Sequence, residues 1–329
     1  MKVVVLLGGA SDERDVSLAS GAGVADALRT AGHEVVALDP AKGLLTRHEE
    51  EAVLESGVAV SPPSEEHEDV RTAMVISGNP EIADADVVFV ALHGGQGEDG
   101  TVQAMLEMAG IPFVGSGMLG CALAMDKDVS KRLFRDAGLP TPDWVVGNPP
   151  SEEVIERLGT PVIVKPVSGG SSIGLTLAVD AAEVARAADQ GRARGQAMMY
   201  EAFVEGREFT VGILGEDALP VGEITTTQGL FDYEAKYQPG MASECFPAEL
   251  GAAAVEELQR LALAVHRVLR LRQFSRIDFM IDATGGPWVL EANAVPGLTS
   301  NSLLPKAALA AGLTFSDLCN RLVHLASIK

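Results

Sequence analysis

The chain has 329 residues, 47% of them hydrophobic and 22% charged, which is typical of a globular protein with two or three domains. The formal net charge is −21 and no basic run is present, so nucleic acid and anionic membranes are excluded as expected partners. The three cysteines fit neither a disulfide framework nor a zinc site. Without a signal-peptide pattern or a long apolar run, we expect a cytoplasmic location.

The chain begins with a βαβ pattern. An apolar strand is predicted over residues 2–7, followed by two glycines and a helix over 16–31. Glu13 lies close to the helix start, where it would repel a pyrophosphate but hold an ammonium group well. The alternative is that Glu13 only interacts favourably with the helix dipole.

A second buried strand is predicted over residues 87–92, followed by a glycine-rich loop and a helix from Thr101. His93 and Glu98 therefore fall at the ligand-binding edge of an open α/β sheet. A hydrogen-bonded core histidine is an equally good interpretation of His93. Further on, Lys127 lies on the first turn of a predicted helix and, taken alone, is best interpreted as a solvated surface lysine.

Residues 160–178 predict a strand, a Ser/Gly loop and a second strand. Lys165 precedes the glycines of the loop, which excludes a Walker P-loop, where the lysine follows them and opens a helix. The loop residues Gly169 to Ser172 offer backbone N–H groups and hydroxyls that could close over phosphates, with Lys165 as a point charge. An ordinary flexible hairpin loop is the alternative.

Residues 198–214 predict two strands separated by a break at residues 205–206. Glu201, Phe203 and Val204 come just before the break. This segment could act as a hinge between domains and offer backbone groups and an acid to an adenine and a ribose.

A further strand is predicted over residues 219–224, and a long connection without clear periodicity follows over 225–249. Connections of that length in compact chains are usually functional or disordered. Lys236 and Tyr237 lie in it, and its aromatic content favours an ordered lid. A helix is then predicted over residues 250–270.

An antiparallel hairpin is predicted next. Residues 276–282 alternate strictly between two faces, with the apolar Ile277, Phe279 and Ile281 on one of them. Residues 288–293 alternate too, with Val289, Glu291 and Asn293 on one face, and turn residues lie between the two segments. We centre the turn between Thr284 and Gly285.

This register places Asp278 opposite Glu291 and Arg276 opposite Asn293, all on one face. Directly opposed carboxylates repel each other, so the face favours a cation, and its hard oxygen ligands suit Mg²⁺ shared with substrate phosphates. Two alternatives remain: a solvated amphipathic face, or a slip of two residues that separates Asp278 from Glu291. The loop after the hairpin is rich in donors suited to a carboxylate.

Taken together, these segments resemble the D-alanine–D-alanine ligase family of the ATP-grasp superfamily, essentially from end to end. The resemblance rests on segments in the family's order: GGASDERDVSLASG (8–21), LHGGQGEDG (92–100), MDK (125–127), VIVKPVSGGSSIG (162–174), REFTVGIL (207–214), DYEAKY (232–237), RIDF (276–279) and LEANAVPGLTSNSL (290–303).

The resemblance implies an α/β fold, α+β in places, organised as a three-domain ATP-grasp fold. Residues 1–115 would form an N-terminal Rossmann-like domain with the first D-alanine site. Residues 116–203 would form the central ATP-grasp subdomain with the phosphate flap. Residues 204–329 would form the C-terminal subdomain with the metal site, the lid and the acceptor site.

The resemblance also implies roles for single residues at the first substrate. Glu13 would hold the amino group of the first D-alanine, within a network through Ser171 and Tyr237. His93 would lie near the acyl-phosphate region.

Other implied roles concern the reacting carbon and the second substrate. Arg276 and the backbone at Gly297 would stabilise charge at the acyl carbon, and Ser302 and Leu303 would receive the second D-alanine's carboxylate.

The nucleotide and metal ligands follow from the same resemblance. The residues implied to bind ATP are Lys127, Lys165, Ser172, Glu201, Phe203, Val204, Glu208 and Lys236. The residues implied to bind two Mg²⁺ (or Mn²⁺) ions are Asp278, Glu291 and Asn293.

The implied activity is ATP-dependent ligation of two D-alanines through D-alanyl phosphate, for peptidoglycan synthesis, by a homodimer; activation by K⁺ stays open. Three alternatives are a D-alanine–D-lactate ligase, an inactive nucleotide-binding regulator, and an ATP-grasp ligase for another amino acid. D-lactate enzymes commonly have histidine at the position of Tyr237.

Two departures from the family bear on ATP affinity: Gly170 in a flap that lacks a frequent acidic residue, and Phe203 in place of a frequent tryptophan.

Overall fold

The computed structural model describes residues 1–56, 72–226 and 241–327. The strands in these ranges are β1 (Lys2–Leu6), β2 (Glu34–Asp39), β3 (Gly43–Leu44), β4 (Val87–Val90), β5 (Phe113–Val114), β6 (Trp144–Val146), β7 (Val162–Pro166), β8 (Thr176–Ala178), β9 (Met198–Ala202), β10 (Gly206–Leu214), β11 (Asp217–Ala218), β12 (Gly222–Thr226), β13 (Ala242–Cys245), β14 (Phe274–Asp282) and β15 (Pro287–Asn293).

The helices are α1 (Arg14–Thr30), α2 (Arg47–Ser56), α3 (Thr72–Gly78), α4 (Pro80–Ala83), α5 (Thr101–Ala109), α6 (Met118–Met125), α7 (Lys127–Asp136), α8 (Ser151–Leu158), α9 (Ala181–Ala193), α10 (Ala252–Val268), α11 (Leu303–Ala310) and α12 (Phe315–Ser327). Among the residues with assigned placement, no helix is both long and apolar enough to span a membrane.

The first sheet has the strand order β3-β2-β1-β4-β5, and β1 pairs in parallel with both β2 and β4. The predicted βαβ unit is therefore confirmed. Because the strand order reverses direction between β1 and β4, the carboxyl ends of these two strands form the switch point at which open α/β sheets bind ligands. Glu13 follows β1 and His93 follows β4, so both lie at this point.

The second sheet has the order β6-β9-β7-β8, with antiparallel pairs throughout. Its buried apolar residues pack with Val184 and Ala187 of α9. The predicted strand–loop–strand over residues 160–178 corresponds to β7 and β8, and Lys165 is the fourth residue of β7.

The third sheet has the order β13-β12-β10-β14-β15, with β11 paired to β10. Two expectations for this region are corrected. The strand placed over 219–224 is β12, which begins at Gly222. The lid segment 225–249 includes β13, which pairs with β12, so that part of the connection is an edge strand.

The hairpin of β14 and β15 has the predicted register at its functional end. Arg276 pairs with Asn293 and Asp278 with Glu291. Nearer the turn the register shifts by one, because Leu290 forms a β-bulge between the pairs Asp278–Glu291 and Phe279–Val289. The strict alternation expected over 288–293 is therefore wrong. An extra residue lets both Val289 and Ala292 reach the core, at 0% and 6% exposure.

The last two helices complete the core of the first sheet. Leu318 and Leu322 of α12 lie in one buried cluster with Val5 of β1 and Phe89 of β4. Residues near the carboxyl end of the chain thus cover strands formed at its beginning. The domain boundaries at 115 and 203 stay a prediction.

Candidate active site

Two cavities meet at the flap between β7 and β8. The larger has a volume of about 580 Å³ and the smaller about 220 Å³, and Gly170 lines both. Predicted substrate residues line the larger cavity, together with the predicted metal ligand Asn293: Glu13, His93, Ser171, Arg276, Gly297, Ser302 and Leu303. Predicted nucleotide and metal residues line the smaller: Lys127, Lys165, Ser172, Glu201, Phe203, Val204, Glu208, Asp278 and Glu291. Lys236 and Tyr237 lie outside the described residues.

Glu13 is a nearly buried carboxylate, 6% exposed, at the start of α1. Ser171 of the flap donates a hydrogen bond from Oγ to Glu13 Oε1. A Cβ atom at Gly170 would lie 2.7 Å from Glu13 Oε2, so only glycine fits without a shift. The flap is therefore in contact with the predicted ammonium-binding acid; whether Gly170 loosens it stays a prediction.

The flap backbone is held in an uncommon conformation. Ser171 and Ser172 have φ angles of +48° and +56°, in the left-handed region that residues with a Cβ seldom adopt. Such outliers persist where surrounding contacts impose them, and they cluster at ligand-binding sites. The contact between Ser171 and Glu13 is one such constraint.

His93 is 3% exposed and held from both ring nitrogens. Nδ1 lies 3.2 Å from Glu98 Oε1, and Nε2 lies 3.0 Å from Ser20 Oγ. Because a carboxylate only accepts, Nδ1 donates to Glu98, and a neutral His93 then accepts from Ser20. His93 is thus a hydrogen-bonded buried histidine, and it also lines the larger cavity. Its role near the acyl-phosphate region stays a prediction.

Asp278 is surrounded by donors. Arg276 pairs with it through two hydrogen bonds of 2.9 Å, from Nε and Nη2. Thr210 Oγ1 donates at 2.7 Å and Asn293 Nδ2 at 3.0 Å. The charge that was expected to require a metal is therefore offset in part by Arg276.

Glu291 and the flap are linked by one lysine. Lys127 Nζ lies 3.6 Å from Glu291 Oε2 and donates to the carbonyl of Gly169 at 2.7 Å. Lys127 is only 9% exposed, so its interpretation as a solvated surface lysine is wrong. Asp126 accepts from the backbone N–H of Val129 and caps α7, which fixes the start of the helix that carries Lys127.

The donor set is suited to a hard cation. Asp278 and Glu291 lie directly opposite each other, and Asn293 follows two residues later on β15. Within the described ranges no group of three or more His, Cys, Asp or Glu side chains could hold a metal ion. Two acids and one amide fit an ion such as Mg²⁺, which keeps waters and phosphate oxygens among its ligands.

Glu201 lies between two lysines. It is 3% exposed, with Lys165 Nζ 2.7 Å from Oε1 and Lys131 Nζ 2.5 Å from Oε2. Burial opposes its charge, but Lys165 and Lys131 outweigh burial and hold the pKa of Glu201 below its usual value. Burial lowers the pKa of Lys131 to about 8, although Glu201 raises it.

The predicted acceptor region is the loop before α11. A Cβ atom at Gly297 would lie 2.8 Å from Ser302 Oγ, so this pair is in close contact. Ser302 precedes the first residue of α11 without a side-chain cap bond, and Ser302 and Leu303, at the start of this helix, both line the larger cavity. A carboxylate is stabilised at such a helix start.

Sequence reasoning missed residues whose partners are distant in the chain. Lys131, Thr210 and Ser20 each bind a predicted site residue. Only Lys131 left a signal, since it lies four residues after Lys127 and so on the same face of α7.

Known proteins and family models match this chain along nearly its whole length. A family model described as D-ala D-ala ligase N-terminus matches residues 2–116, and one described as D-ala D-ala ligase C-terminus matches residues 133–324. A D-alanine–D-alanine ligase from Synechococcus sp. (strain JA-3-3Ab) is 39% identical, over 98% of this chain and 93% of that protein.

Solved structures agree. D-alanine–D-alanine ligase from Bacillus anthracis complexed with ATP superposes with a TM-score of 0.79 at 29% identity, covering 99% of this chain and 97% of that one. VanG D-Ala:D-Ser ligase from Enterococcus faecalis superposes with a TM-score of 0.79 at 30% identity, covering 99% of each chain.

These similar solved structures have the ATP-grasp fold, so the predicted fold class is confirmed. Within that class, the chain belongs to the D-alanine–D-alanine ligase family.

Proposed function

We propose that this protein is an ADP-forming ligase that joins two D-alanines to D-alanyl-D-alanine, for peptidoglycan synthesis. One observation carries the proposal: the flap lines both cavities through Gly170, with Ser171 bound to Glu13 on the side of the larger and Ser172 lining the smaller. A carboxylate bound in the larger cavity can thus meet a nucleotide phosphate from the smaller.

The chemistry requires an activated intermediate, because amide formation from a free carboxylate in water is unfavourable. The first D-alanine's carboxylate attacks the γ-phosphorus of ATP, forming D-alanyl phosphate and ADP, and the second D-alanine's amine then displaces phosphate. Glu13 would hold the first ammonium group. Lys127 and Lys165 would contact phosphates, and Arg276 would face charge that develops at the acyl carbon.

The second substrate would be oriented by its carboxylate. The loop at Gly297, Ser302 and the start of α11 would bind that carboxylate, leaving the amine directed at the acyl carbon. Tyr237, outside the described residues, is proposed to complete the network of Glu13 and Ser171. Closure of the flap would exclude water, which otherwise hydrolyses an acyl phosphate.

Asp278, Glu291 and Asn293 would hold two Mg²⁺ or Mn²⁺ ions. When bound, such ions neutralise charge on the β- and γ-phosphates as the phosphoryl group moves. Arg276 pairs with Asp278 and Lys127 approaches Glu291. Metal binding to these acids would therefore change the contacts of the Arg276 and Lys127 side chains.

We further propose the predicted domain boundaries at 115 and 203, a homodimer and a cytoplasmic location. Light scattering would measure the mass of the particle, and a monomer at micromolar concentration would contradict the dimer. ADP release with and without K⁺ would decide monovalent activation.

The activity is tested by ADP release with a panel of D- and L-amino acids and Mg²⁺. We expect D-alanine to be the best first substrate, with a dipeptide product visible by mass spectrometry. Activity with L-amino acids only, or none with D-alanine, would contradict the proposal.

The second substrate is tested by competition of D-alanine with D-lactate and D-serine, the latter because a D-Ala:D-Ser ligase has the same fold. We expect D-alanyl-D-alanine to dominate over the D-serine dipeptide and over the D-lactate ester near neutral pH; against the ester, the reason is that position 237 is tyrosine. Preferential ester formation would favour the D-lactate alternative. An inactive regulator is disfavoured because lysines and acids remain around the smaller cavity.

A further inference from the structure

Lys131 is a completely buried lysine, 0% exposed, that the proposed reaction does not use. It lies in α7, and its Nζ has three neighbours that fix it. It donates to Glu201 Oε2 at 2.5 Å and to Thr141 Oγ1 at 2.7 Å, and lies 5.2 Å from the ring centre of Trp144. A buried ammonium group is costly unless paired, so this geometry requires an explanation.

The partner of Lys131 is shared with a lysine of the smaller cavity. Glu201 binds Lys131 through one carboxylate oxygen and Lys165 through the other. Lys165 and Glu201 both line the cavity, whereas Lys131 does not contribute to its lining. One carboxylate between two ammonium groups leaves the triad with a net charge of +1. Without Lys131, Glu201 would neutralise Lys165.

We propose that Lys131 is a positioning residue for nucleotide phosphates: by sharing Glu201 it keeps a net positive charge at Lys165, where a phosphate would bind. This inference rests on the proposed nucleotide site. A second contact fixes the position of Lys131. Thr141 Oγ1 accepts a hydrogen bond from Lys131 and donates one to the carbonyl of Val289 in β15 at 2.9 Å.

The charge state of Lys131 also depends on its other neighbours. Glu201 of β9 favours its ammonium form, while burial, Lys165 of β7 and Arg135 of its own helix disfavour it; Trp144 of β6 presents only its ring. Since the pKa of Lys131 lies near 8, the triad should lose its net charge as pH rises through that value.

The test compares binding of ADP and of adenosine, without metal, to the full-length protein by calorimetry or competition. In Lys131→Met we expect ADP affinity to fall about tenfold, the effect of one charge-assisted hydrogen bond, and adenosine affinity to change less than twofold. Arg135→Met is the matched control, because Arg135 also lies over Trp144, at 4.3 Å, but pairs with Asp143. At pH 7 it should leave both affinities unchanged, because Lys131 is in its ammonium form there and loss of Arg135 only favours that form.

Equal losses of ADP and adenosine affinity in Lys131→Met, or no loss, would overturn the inference. If that variant does not fold, the double variant Lys131→Met with Glu201→Gln removes the buried acid as well. Its triad again carries +1, so the ratio of ADP to adenosine affinity should match the wild type, and a tenfold lower ratio would contradict us. Wild-type protein that binds neither ligand would contradict the proposed function instead.

Between pH 7 and 9 the wild-type ADP affinity should fall relative to that of adenosine, and this change should be absent from Lys131→Met. A pH profile common to both proteins would count against the inference.

Discussion

The ionisable side chains of the two cavities bind one another at short range. Arg276 pairs with Asp278, Lys127 approaches Glu291, and Lys165 shares Glu201 with Lys131. Removing one member of a buried pair leaves its partner uncompensated. Substitutions here should therefore affect binding and catalysis through the partner as well as through the residue changed.

Glu291→Gln is the residue-scale test of the metal face. The amide keeps the shape of the side chain but loses the charge needed for a divalent ion. We expect turnover to fall by roughly 10²–10³-fold, as for other groups that stabilise transition-state charge. The free energy of unfolding should change by less than about 1 kcal/mol, because this pair is looser than the other two: the side chain of Glu291 is 27% exposed, Lys127 Nζ lies 3.6 Å away, and Lys127 keeps its hydrogen bond to Gly169.

Turnover and urea denaturation of the variant should be measured beside Glu216→Gln, whose carboxylate is 90% exposed. The control should keep both properties. Full Mg²⁺-dependent activity in Glu291→Gln would rule out its assignment as a metal ligand.

Part of the site was predictable from the sequence, where a local pattern places the side chains. Lys165 before a Ser/Gly loop and Asp278 opposite Glu291 follow from local patterns, and the structure has both. The burial of Lys127 and Lys131 does not follow locally, because it depends on Glu291 and Glu201, which are far along the chain.

At the scale of elements, the β-bulge at Leu290 connects packing with the site. It lets Val289 face the core while Glu291 stays opposite Asp278, and it turns Leu290 into the smaller cavity. Strong periodicity predicted the long helices and strands, but a bulge adds one residue without changing the composition. β13 was missed because a four-residue edge strand is determined by its partner β12.

Deleting Leu290 tests the bulge. The pairs Asp278–Glu291 and Phe279–Val289 would then follow one another in a regular ladder, so we expect the thermal midpoint to stay within a few degrees. Loss of the Leu290 side chain and of the local twist should lower kcat/KM for ATP about tenfold or more. Leu290→Ala keeps the bulge and should lose less. Equal losses in the two variants would show that only the side chain matters.

His266 provides a pH test of the packing of α10 on β14. It is 7% exposed, its Nδ1 lies 2.7 Å from Ser275 Oγ, and burial lowers its pKa to about 4. Between about pH 4 and about pH 6.5, His266 is protonated in the unfolded chain but neutral in the folded chain. The stability contributed by burying the neutral ring is therefore complete above pH 6.5 and is lost as pH falls. At pH 5 the loss should be about 2 kcal/mol.

Urea denaturation at pH 7 and pH 5 would measure this loss. His266→Gln removes the titrating ring, and its stability should depend less on pH by that amount, whatever the carboxylates contribute to both proteins. The same pH dependence in both would contradict the role given to His266.

At the scale of the whole molecule, the two ends of the chain share one core. The sequence predicted the βαβ unit of the first sheet, the strand–loop–strand of the second and the hairpin of the third, because each of these patterns is local. They did not predict that α12 packs on α1 and the first sheet, because an amphipathic helix shows which face is buried but not against what. The larger cavity reflects this closure, being lined by Glu13 from the beginning of the chain and Phe315 and Ser316 from its end.

Leu322→Ala tests whether α12 belongs energetically to the first sheet. Leu322 is 0% exposed, and truncation of a buried leucine costs about 2–5 kcal/mol. If α12 stabilises that sheet as a local unit, hydrogen exchange should accelerate at the amides of β1 and β4, while those of β7 and β9 keep their protection. Met198→Ala is the matched control, since Met198 is 2% exposed in the core of the second sheet, and it should give the opposite pattern. Uniform acceleration in both variants would instead show that the molecule unfolds as one cooperative unit, with no separate first domain.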